Sequence, residues 1–581
     1  MFCLHLFVER KIMAKKIAEP SVEINHLDKA IAGMDLEVLE PHLKGLFTLM
    51  LNRMEEQDKI NKELRAENQK LRDENNRLKG EKGKPNIRPQ TTSGNISSES
   101  ERKNLNPKKP RKSKAKNHKI TINRNVRCPV DKSHLPADAI FKGCRSVIVQ
   151  DILIRTDNIQ FERETYYSPS LKKTFIGDLP KGYEGEFGPG IKAYILSSYY
   201  QSNMTESAIV TTLQTHGILI SACTVSRILT DDKEEYHQEK DDIVKEGLAS
   251  PLPKQMDDTS ARVGGKNNFA HILCNSLFTA YFTRPHKDRL TLLEILSMGP
   301  LTFKFNDAAF GLMEQMNLSP KWLNLLEERQ FEEDMSREEV DILLKELFPN
   351  PKAHTKNRKV ILEASAITAY RALPHAIKML LTDNAPQFQA ITEFLALCWI
   401  HEGRHYKKLT PSFTLHKIYL EAFLKKFWKY YKALLDYKES PNPKKAKKLS
   451  KKFDGLFSTK TGYDELDKRI ALTKSRKESL LLVLQYPELP LHNNASELGA
   501  RGQARKRDIS LHTINQKGTQ AKDTFMTIVE TAKKHGVNVY HYLYDRITKK
   551  YEMPSLANLI KLACGPDLKS HNTALSSAQV V

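Results

Sequence analysis

The chain has 581 residues, a hydrophobic content of 40% and a formal net charge of +22, with 92 Lys and Arg against 70 Asp and Glu. A cationic surplus of this size indicates a polyanionic partner, because clustered cations release counterions when they bind phosphates. The length gives room for about three or four domains. Seven scattered cysteines without a CxxC pair exclude a disulfide framework, and no apolar run reaches the ~18 residues of a membrane span.

The N-terminal region, residues 1–80, is predicted to be helical, with a coiled coil at about residues 45–80. Leu64, Leu71 and Leu78 repeat every seven residues and would occupy the d positions of a heptad, with asparagines at the a positions. Asparagine at a favours a two-stranded parallel arrangement, so we expect a homodimer. A solvated single helix is the alternative, because the a layer is polar.

Residues 81–120 lose all periodicity and mix Ser, Pro and Gly with a basic block. Such a segment buries too little apolar surface to offset its ordering entropy, so a disordered linker is predicted. Its cations can contact DNA phosphates, although a solvated tether explains the composition equally well. The candidate DNA contacts in this linker are Lys108, Lys109, Arg111, Lys112, Lys114 and Lys116.

Residues 121–185 are predicted to form a small β module. The runs SVIVQDILIR and IQFERETYY alternate apolar and polar side chains over residues 146–167, which is typical of a hairpin or small sheet. Cys128, His134 and Cys144 lie upstream at irregular spacing. A structural zinc site requires four converging ligands, so we expect no zinc here.

Residues 186–250 are predicted to be helical. Thr205 and Ser221 are suitable N-caps for two short segments, ESAIVTTLQTH and ACTVSRIL, and Gly217 lies between them as a helix stop. Two short helices around a glycine-containing turn are typical of a helix-turn-helix that reads DNA. A helical hairpin belonging to the protein core remains the alternative.

Residues 251–550 carry a different pattern, in which short strands precede helices. LPKQMDDTSARVGG, KNNFAHILCNS and LFTAYFTRP indicate three consecutive strands, with Gly264-Gly265 at the first turn. Asp257 lies in the first of these strands. Much later, HAIKMLLTDNAPQF indicates a buried strand that ends at Asp383.

A further apolar run, FLALCWIHEGRHY, contains His401, and a helix is predicted to begin near Asn493 or Asn494. Glu497 lies one turn inside this helix, with Arg501 on the same face at i+4. An α/β core carrying acidic side chains on two strands and one helix is therefore predicted.

The segments QMDDT, LLTDNAPQF, ALCWIHEGRHY and LHNNASELGAR, in that order, resemble the catalytic segments of transposases of the insertion sequence 66 family. The closing segment KDTFMTIVETAKKHGVNVYHYLYD is also similar to that family. So is the layout ahead of these segments: a coiled coil, a basic linker, a small Cys-bearing module and a helical segment. The resemblance extends over roughly residues 45–550.

The resemblance implies an RNase H-like mixed sheet whose catalytic triad is Asp257, Asp383 and Glu497. Carboxylates suit two Mg²⁺ or Mn²⁺ ions, which activate water and stabilise the leaving oxygen when held about 3.5–4 Å apart. The activity implied is DNA cleavage and strand transfer, on double-stranded DNA that includes terminal inverted repeats and a target. Companion proteins of the same element and a bacterial cytoplasmic, nucleoid-associated location are further expectations.

Secondary assignments accompany the triad. Side chains alternate along a strand, so only one of the adjacent Asp257 and Asp258 can face the site, and the family pattern favours Asp257. His401 is expected to support the site rather than bind metal, and Arg501 is expected to support it too. The cations that follow on the same helix are expected to contact DNA: Arg505, Lys506 and Arg507.

The chain also departs from the family pattern. Paired CxxC knuckles are absent from residues 121–185, so the β module is expected to be a degenerate zinc-finger-like unit. Helical insertions are predicted at about residues 290–375 and 405–485, and residues 551–581 are predicted to be a tail. The second insertion contains a lysine cluster, Lys444–Lys452, which is either a DNA contact or a solvated basic loop. These departures leave a second functional interpretation open, a transposase-derived DNA-binding protein without chemistry.

Overall fold

The computed structural model describes residues 40–79 and 120–565, apart from the single residues 132, 134, 137, 153, 332 and 351. The predicted DNA contacts of the basic linker lie outside the described residues: Lys108, Lys109, Arg111, Lys112, Lys114 and Lys116. Within the described ranges, no helix is both long enough and apolar enough to span a membrane.

One long helix, α1 (Pro41–Leu78), covers the predicted coiled coil. The heptad leucines Leu64, Leu71 and Leu78 are 49%, 59% and 84% exposed. The helical prediction for residues 1–80 is confirmed over α1, while residues 1–39 lie outside the described residues. The three exposed leucines are accessible to a second helix. The dimer itself stays a prediction.

The small β module is a two-stranded hairpin of β1 (Thr165–Ser168) and β2 (Lys173–Ile176). The prediction of strands over residues 146–167 is wrong for most of that range, because residues 146–164 form no strand among those described. Val147 and Val149 are 84% and 81% exposed, so this alternating run has no core or partner strand on which to pack. Cys128 and Cys144 are exposed and His134 is not described, so the expected lack of zinc stays a prediction.

The helical segment follows the predicted boundaries closely. The Thr205 hydroxyl accepts from the Ala208 amide (3.2 Å), and the Ser221 hydroxyl accepts from the Thr224 amide (3.2 Å), so both predicted N-caps are confirmed. Gly217, with φ +81°, follows the first of the two short helices. The helices of this segment are α2 (Pro189–Tyr200), α3 (Glu206–Thr215), α4 (Ala222–Thr230) and α5 (Glu234–Ala249).

A mixed five-stranded sheet forms the centre of the molecule. Its strands are β3 (Lys254–Val263), β4 (Lys266–Cys274), β5 (Thr279–Arg284), β6 (Met379–Thr382) and β7 (Phe394–Leu397). The order is β5-β4-β3-β6-β7, with the first three strands antiparallel and with β6 and β7 parallel to β3. The predicted meander is therefore confirmed. Gly264 and Gly265, with φ +54° and +76°, make the tight first turn, which requires left-handed backbone.

The outer edge of the sheet is covered by helix α17 (Gln516–Lys534). Thr527 Oγ1 accepts from the Tyr281 amide (3.1 Å), and Asp523 accepts from the Thr283 amide (2.6 Å). These two acceptors are one helical turn apart, which matches alternate residues on the edge strand. Helix side chains thus satisfy amides that an exposed edge would offer to another chain.

Five helices connect β5 to β6, where a helical insertion at residues 290–375 is predicted. They are α6 (Arg289–Ser297), α7 (Asp307–Gln315), α8 (Pro320–Glu327), α9 (Arg337–Leu347) and α10 (Thr355–Ala372). The helical prediction is confirmed, and the buried side chains of these helices belong to the same hydrophobic core as the sheet. A buried ion pair between Arg289 and Glu363 ties α6 to α10.

The second predicted insertion, residues 405–485, follows β7. Its helices, with the one that leads into it, are α11 (Trp399–Lys407), α12 (Thr414–Glu439), α13 (Pro443–Leu456), α14 (Asp464–Ser475) and α15 (Lys477–Leu480). This insertion has its own hydrophobic core around the buried Trp399. The apolar face of α12 lies in that core: Phe423, Phe427, Tyr430 and Leu434.

The N-terminal half of α1 packs on this second insertion. Leu51 and Phe413 bury each other, and the Glu55 carboxylate accepts from the Ser412 amide (2.6 Å) and pairs with His416 Nδ1 (3.0 Å). The helix that carries the heptad leucines therefore contacts the insertion through its N-terminal half.

The last described helices cover the sheet and the helical segment. After α16 (Asn494–Ser510) and α17 come α18 (Val539–Ile547) and α19 (Leu556–Ala563). The predicted tail at 551–581 is corrected for the residues of α19, since Leu556 and Ile560 are fully buried, and residues 566–581 lie outside the described residues. Leu556 and Ile560 bury an amphipathic stripe against the main core, which a tail would leave exposed.

Candidate active site

Two of the predicted acidic residues lie on neighbouring parallel strands. β3 pairs with β6 through Gln255 opposite Leu381. Asp257 and Asp383 each lie two residues further along their own chains, so the parallel register directs them to the same edge position. Asp383 follows the last residue of β6, and its carboxylate accepts from the Ala385 amide (3.1 Å), which fixes the loop after the strand.

Asp258 is occupied elsewhere. Its carboxylate accepts from Gln387 Nε2 (2.8 Å) and lies 3.7 Å from the Lys287 ammonium. Adjacent residues of a strand point to opposite faces, so these partners lie on the face opposite to that of Asp257.

Helix α16 is anchored next to the same strand. The Asn493 side chain donates to the Met256 carbonyl (3.0 Å), and the Ala495 amide donates to Gln255 Oε1 (3.2 Å). The helix also crosses the sheet closely, because a Cβ at Gly499 would lie 2.7 Å from Ile272 Cγ2. Glu497 lies between these anchors, on the first turn of the helix.

Electrostatic interactions link Asp257 to the other two carboxylates. Burial, followed by the negative charge of Asp383 and the smaller effects of Asp258 and Glu497, raises the pKa of Asp257 to about 7. Carboxylates that repel each other in a partly buried site are relieved by a proton or by a cation. The arrangement is therefore one that a divalent cation would stabilise.

Glu497 is held by a residue that the sequence did not single out. Arg404 donates from Nη2 to Glu497 Oε2 (3.1 Å) and from Nη1 to His401 Nε2 (3.2 Å). The other carboxylate oxygen, Oε1, is buried without a hydrogen-bond partner in the described part of the chain, 3.7 Å from His401 Nδ1. The signal for Arg404 was its spacing, one helical turn after His401 on α11.

His401 and Cys398 complete the surroundings of Glu497. Burial lowers the pKa of His401 to about 4, so the imidazole is neutral, and it raises the pKa of Cys398 to about 12, so the thiol keeps its proton. Ligand atoms of Cys398, His401 and Glu497 lie within 4.8 Å of one another, and the two aspartates are not part of that group. Because Arg404 already donates to both His401 and Glu497, we interpret this group as support for the carboxylate.

The remaining predicted residues lie along α16. Arg501 is partly exposed and makes no ion pair among the residues described, and Arg505 is exposed. Arg507 donates to the Ser260 carbonyl (2.7 Å). Lys506 is only 2% exposed, and its ammonium donates to the Tyr199 carbonyl (2.6 Å). The expectation that Lys506 contacts DNA is thus corrected, because its side chain is buried and hydrogen-bonded inside the fold.

The second insertion reaches the loop behind Asp383. When the side-chain amide of Asn384 is oriented with its oxygen toward Arg476, that oxygen accepts from Arg476 Nε (3.2 Å) and Nη2 (3.0 Å). Arg476 also pairs with the buried Glu402 on α11 (3.1 Å). The insertion therefore connects the loop after one candidate ligand to the helix that supports another.

Two comparisons with known proteins bear on the family of the chain. Residues 371–521 match the family model described as Transposase IS66 family, a range that contains Asp383, Arg404 and Glu497. The chain is also similar to the uncharacterized protein y4jO of Sinorhizobium fredii (strain NBRC 101917 / NGR234). The two are 31% identical over 313 residues, which cover 52% of this chain and 93% of that protein.

Proposed function

The chain belongs to the IS66 family of transposases, and on that premise we propose that it cleaves DNA with divalent metal and joins the freed 3′ hydroxyl to target DNA. The observation that carries the proposal is the placement of Asp257 beside Asp383 on parallel strands, with Glu497 on a helix pinned to the same strand.

The donor set fits Mg²⁺ or Mn²⁺. Both are hard cations that prefer carboxylate oxygens. The site offers Asp257, whose pKa is raised by burial and then by neighbouring negative charge, and Glu497 Oε1, which has no hydrogen-bond partner among the described residues. Asp257, Asp383 and Glu497 would hold the ions. Bound there, two such ions would supply an activated water and stabilise the leaving oxygen of a phosphodiester.

The chain's own residues would orient these ligands. Arg404 holds one oxygen of Glu497 and leaves the other buried without a hydrogen-bond partner among the described residues. Neutral His401 packs beside that oxygen without adding charge. Arg501 and the exposed Arg505, further along the same helix, would contact the phosphates that flank the scissile bond.

The sheet order supports assigning the core to the RNase H-like class. Three antiparallel strands are followed by two strands parallel to the first, and the acidic residues lie on β3 and immediately after β6. We make this assignment as part of the proposal, together with homodimerisation through Leu64, Leu71 and Leu78. Sedimentation of Leu64→Asp/Leu71→Asp beside the unaltered chain would test the dimer, which the variant should lose.

A transposase-derived DNA-binding protein without chemistry is the second candidate. It is favoured by one observation: Glu497 forms an ion pair with Arg404, and the two aspartates are not in the group of possible metal ligands that contains Glu497. The deciding experiment incubates purified full-length protein with duplex DNA that carries the flanking ends of its element, with Mg²⁺, with Mn²⁺ or with chelator. Metal-dependent cleavage that Glu497→Gln abolishes supports the enzyme, whereas binding without cleavage in either metal supports the second candidate.

A further inference from the structure

Helix α13 (Pro443–Leu456) presents a dense patch of positive charge. Between residues 414 and 456, twelve lysines face four acidic residues, and there is no arginine. The structure places half of these lysines on α13, every one of them exposed: Lys444, Lys445, Lys447, Lys448, Lys451 and Lys452. We call this set the α13 lysine patch.

The helix that carries the patch is packed against the core of the second insertion. Leu449 and Phe453 are buried on the opposite face of the helix, and the Tyr430 hydroxyl donates to the Leu449 carbonyl (3.0 Å). Asn442 caps the start of the helix by accepting from the Lys444 amide (2.8 Å). The sequence alone left this segment as either a DNA contact or a basic loop, and the structure makes it a helix whose lysines all point outward.

Among the described residues, no ion pair compensates the charge of the patch. None of its six lysines forms an ion pair among the residues described, and Asp454, the acidic residue of the helix, pairs instead with Lys477 (2.7 Å). Lysines at i and i+4, such as Lys444 and Lys448, repel each other along a helix. Cations in the first turn also oppose the helix dipole. A surface with these costs is relieved by a polyanion that spans several lysines at once.

The patch is also mechanically close to the candidate active site. The Phe453 ring packs edge-on against the Trp399 ring, with centroids 6.2 Å apart, and Trp399 begins the helix that carries His401 and Arg404. A further packing contact is tight, since a Cβ at Gly403 would lie 2.8 Å from the Trp428 side chain of α12. Hence α13 packs, through Phe453 and Trp399, on the helix whose Arg404 pairs with Glu497.

We propose that the α13 lysine patch is a binding surface for the phosphate backbone of duplex DNA, which it contacts without reading sequence. Lysine ammoniums act as point charges toward phosphates and carry no base information, so the patch would add affinity and salt dependence. This inference rests on the proposed function, because it takes duplex DNA as the substrate. It adds a contact surface that the metal site does not require.

The test compares two triple variants of the full-length protein with equal changes in charge. K444Q/K448Q/K451Q removes three patch lysines spaced along one face. K345Q/K352Q/K356Q removes three exposed lysines from the connection between β5 and β6. Affinity for a fluorescent duplex of random sequence is measured with chelator present, over a series of salt concentrations, and circular dichroism checks that both variants are folded.

The patch variant should bind more weakly and should lower the slope of log affinity against log salt by about 2.7, or roughly 0.9 for each phosphate that it no longer neutralises. The control variant should keep the slope of the unaltered chain. Equal slopes for all three proteins would overturn the inference while leaving the proposed function intact. Failure of the unaltered chain to bind duplex DNA at all would contradict both, and metal-dependent cleavage with an unchanged patch slope would contradict only the patch.

Discussion

Arg404 and Glu497, 93 residues apart in sequence, form a 3.1 Å ion pair that engages one carboxylate oxygen and leaves the other buried and unpartnered among the described residues. The pair gives the carboxylate a fixed orientation before any cation arrives. It also keeps a positive charge next to a site that would bind positive ions. The positive charge of Arg404 should weaken metal binding, whereas the orientation of Glu497 should speed cleavage. The two effects can therefore be separated by measuring metal affinity and cleavage rate.

For Arg404→Gln we expect tighter Mn²⁺ binding and slower cleavage. Removing the guanidinium relieves repulsion of the cation but releases Glu497 from its orientation. Calorimetric titration of the DNA-free protein with Mn²⁺ measures the first effect, and single-turnover cleavage measures the second. Arg404→Lys keeps the charge and should leave Mn²⁺ affinity near that of the unaltered chain. Weaker Mn²⁺ binding by Arg404→Gln would contradict this account of the pair.

Asp257→Asn is expected to stabilise the metal-free protein at pH 8 by roughly 1–3 kcal/mol. The folded pKa of Asp257 is raised from 3.8 to about 7, so the folded state binds a proton more tightly than the unfolded state. The unaltered protein therefore loses stability as the pH rises from about 4 to about 7, and asparagine removes that loss. Chemical denaturation with chelator should show the gain at pH 8 and little gain at pH 4. An equal gain at both pH values would show that the negative charge of Asp257 does not cause the loss of stability.

Lys506→Met and Arg505→Gln form a matched pair on neighbouring positions of α16. Lys506 is buried, and burial lowers its pKa to about 7, so methionine should leave DNA affinity unchanged. The lowered pKa means that the unfolded state binds more protons between about pH 7 and 10, so the gain in stability from methionine should shrink as the pH rises through that window. Arg505→Gln should weaken DNA binding without changing stability. Fluorescence anisotropy measures DNA affinity and thermal melts measure stability for both variants. Weaker DNA binding by Lys506→Met would show that Lys506 reaches DNA and would contradict this account.

Asp523→Ala is expected to cost about 1–3 kcal/mol, because it leaves the Thr283 amide of the edge strand buried without an acceptor. Glu530→Ala lies on the same helix and removes only a surface pair with Lys533, so it should change stability by less than about 0.5 kcal/mol. Urea denaturation of both variants measures the difference. Similar small effects would mean that side chains of α17 do not satisfy the edge strand.

The local features of the fold could be predicted from the sequence because neighbouring residues determine them. The Gly264-Gly265 turn, the Thr205 and Ser221 caps and the apolar face of α12 all depend on short-range pattern. The strand prediction for residues 146–155 was wrong because it depended on more than neighbouring residues. Alternation indicates a strand only where a partner strand exists.

The long-range features could not be predicted in this way. Nothing local marks Lys506 as buried, because its partner is the Tyr199 carbonyl on another helix, 307 residues away. Arg404 was missed for a similar reason, as the spacing on α11 does not show that Glu497 lies opposite. The assignment of the three acidic residues depends on the family resemblance, because their chemistry alone does not distinguish them among 70 Asp and Glu, and their catalytic role stays a prediction.

The central claim is that Asp257, Asp383 and Glu497 together hold the metal that cleaves DNA. The most direct measurement is Mn²⁺-dependent cleavage of element-end DNA by Asp257→Asn, Asp383→Asn and Glu497→Gln, with DNA affinity measured in parallel. We predict that each variant binds DNA as the unaltered protein does and cleaves it at least about 100-fold more slowly, because each carboxylate is a ligand while affinity comes from Lys and Arg. Near-normal cleavage by any one of the three would remove that residue from the site and contradict the account.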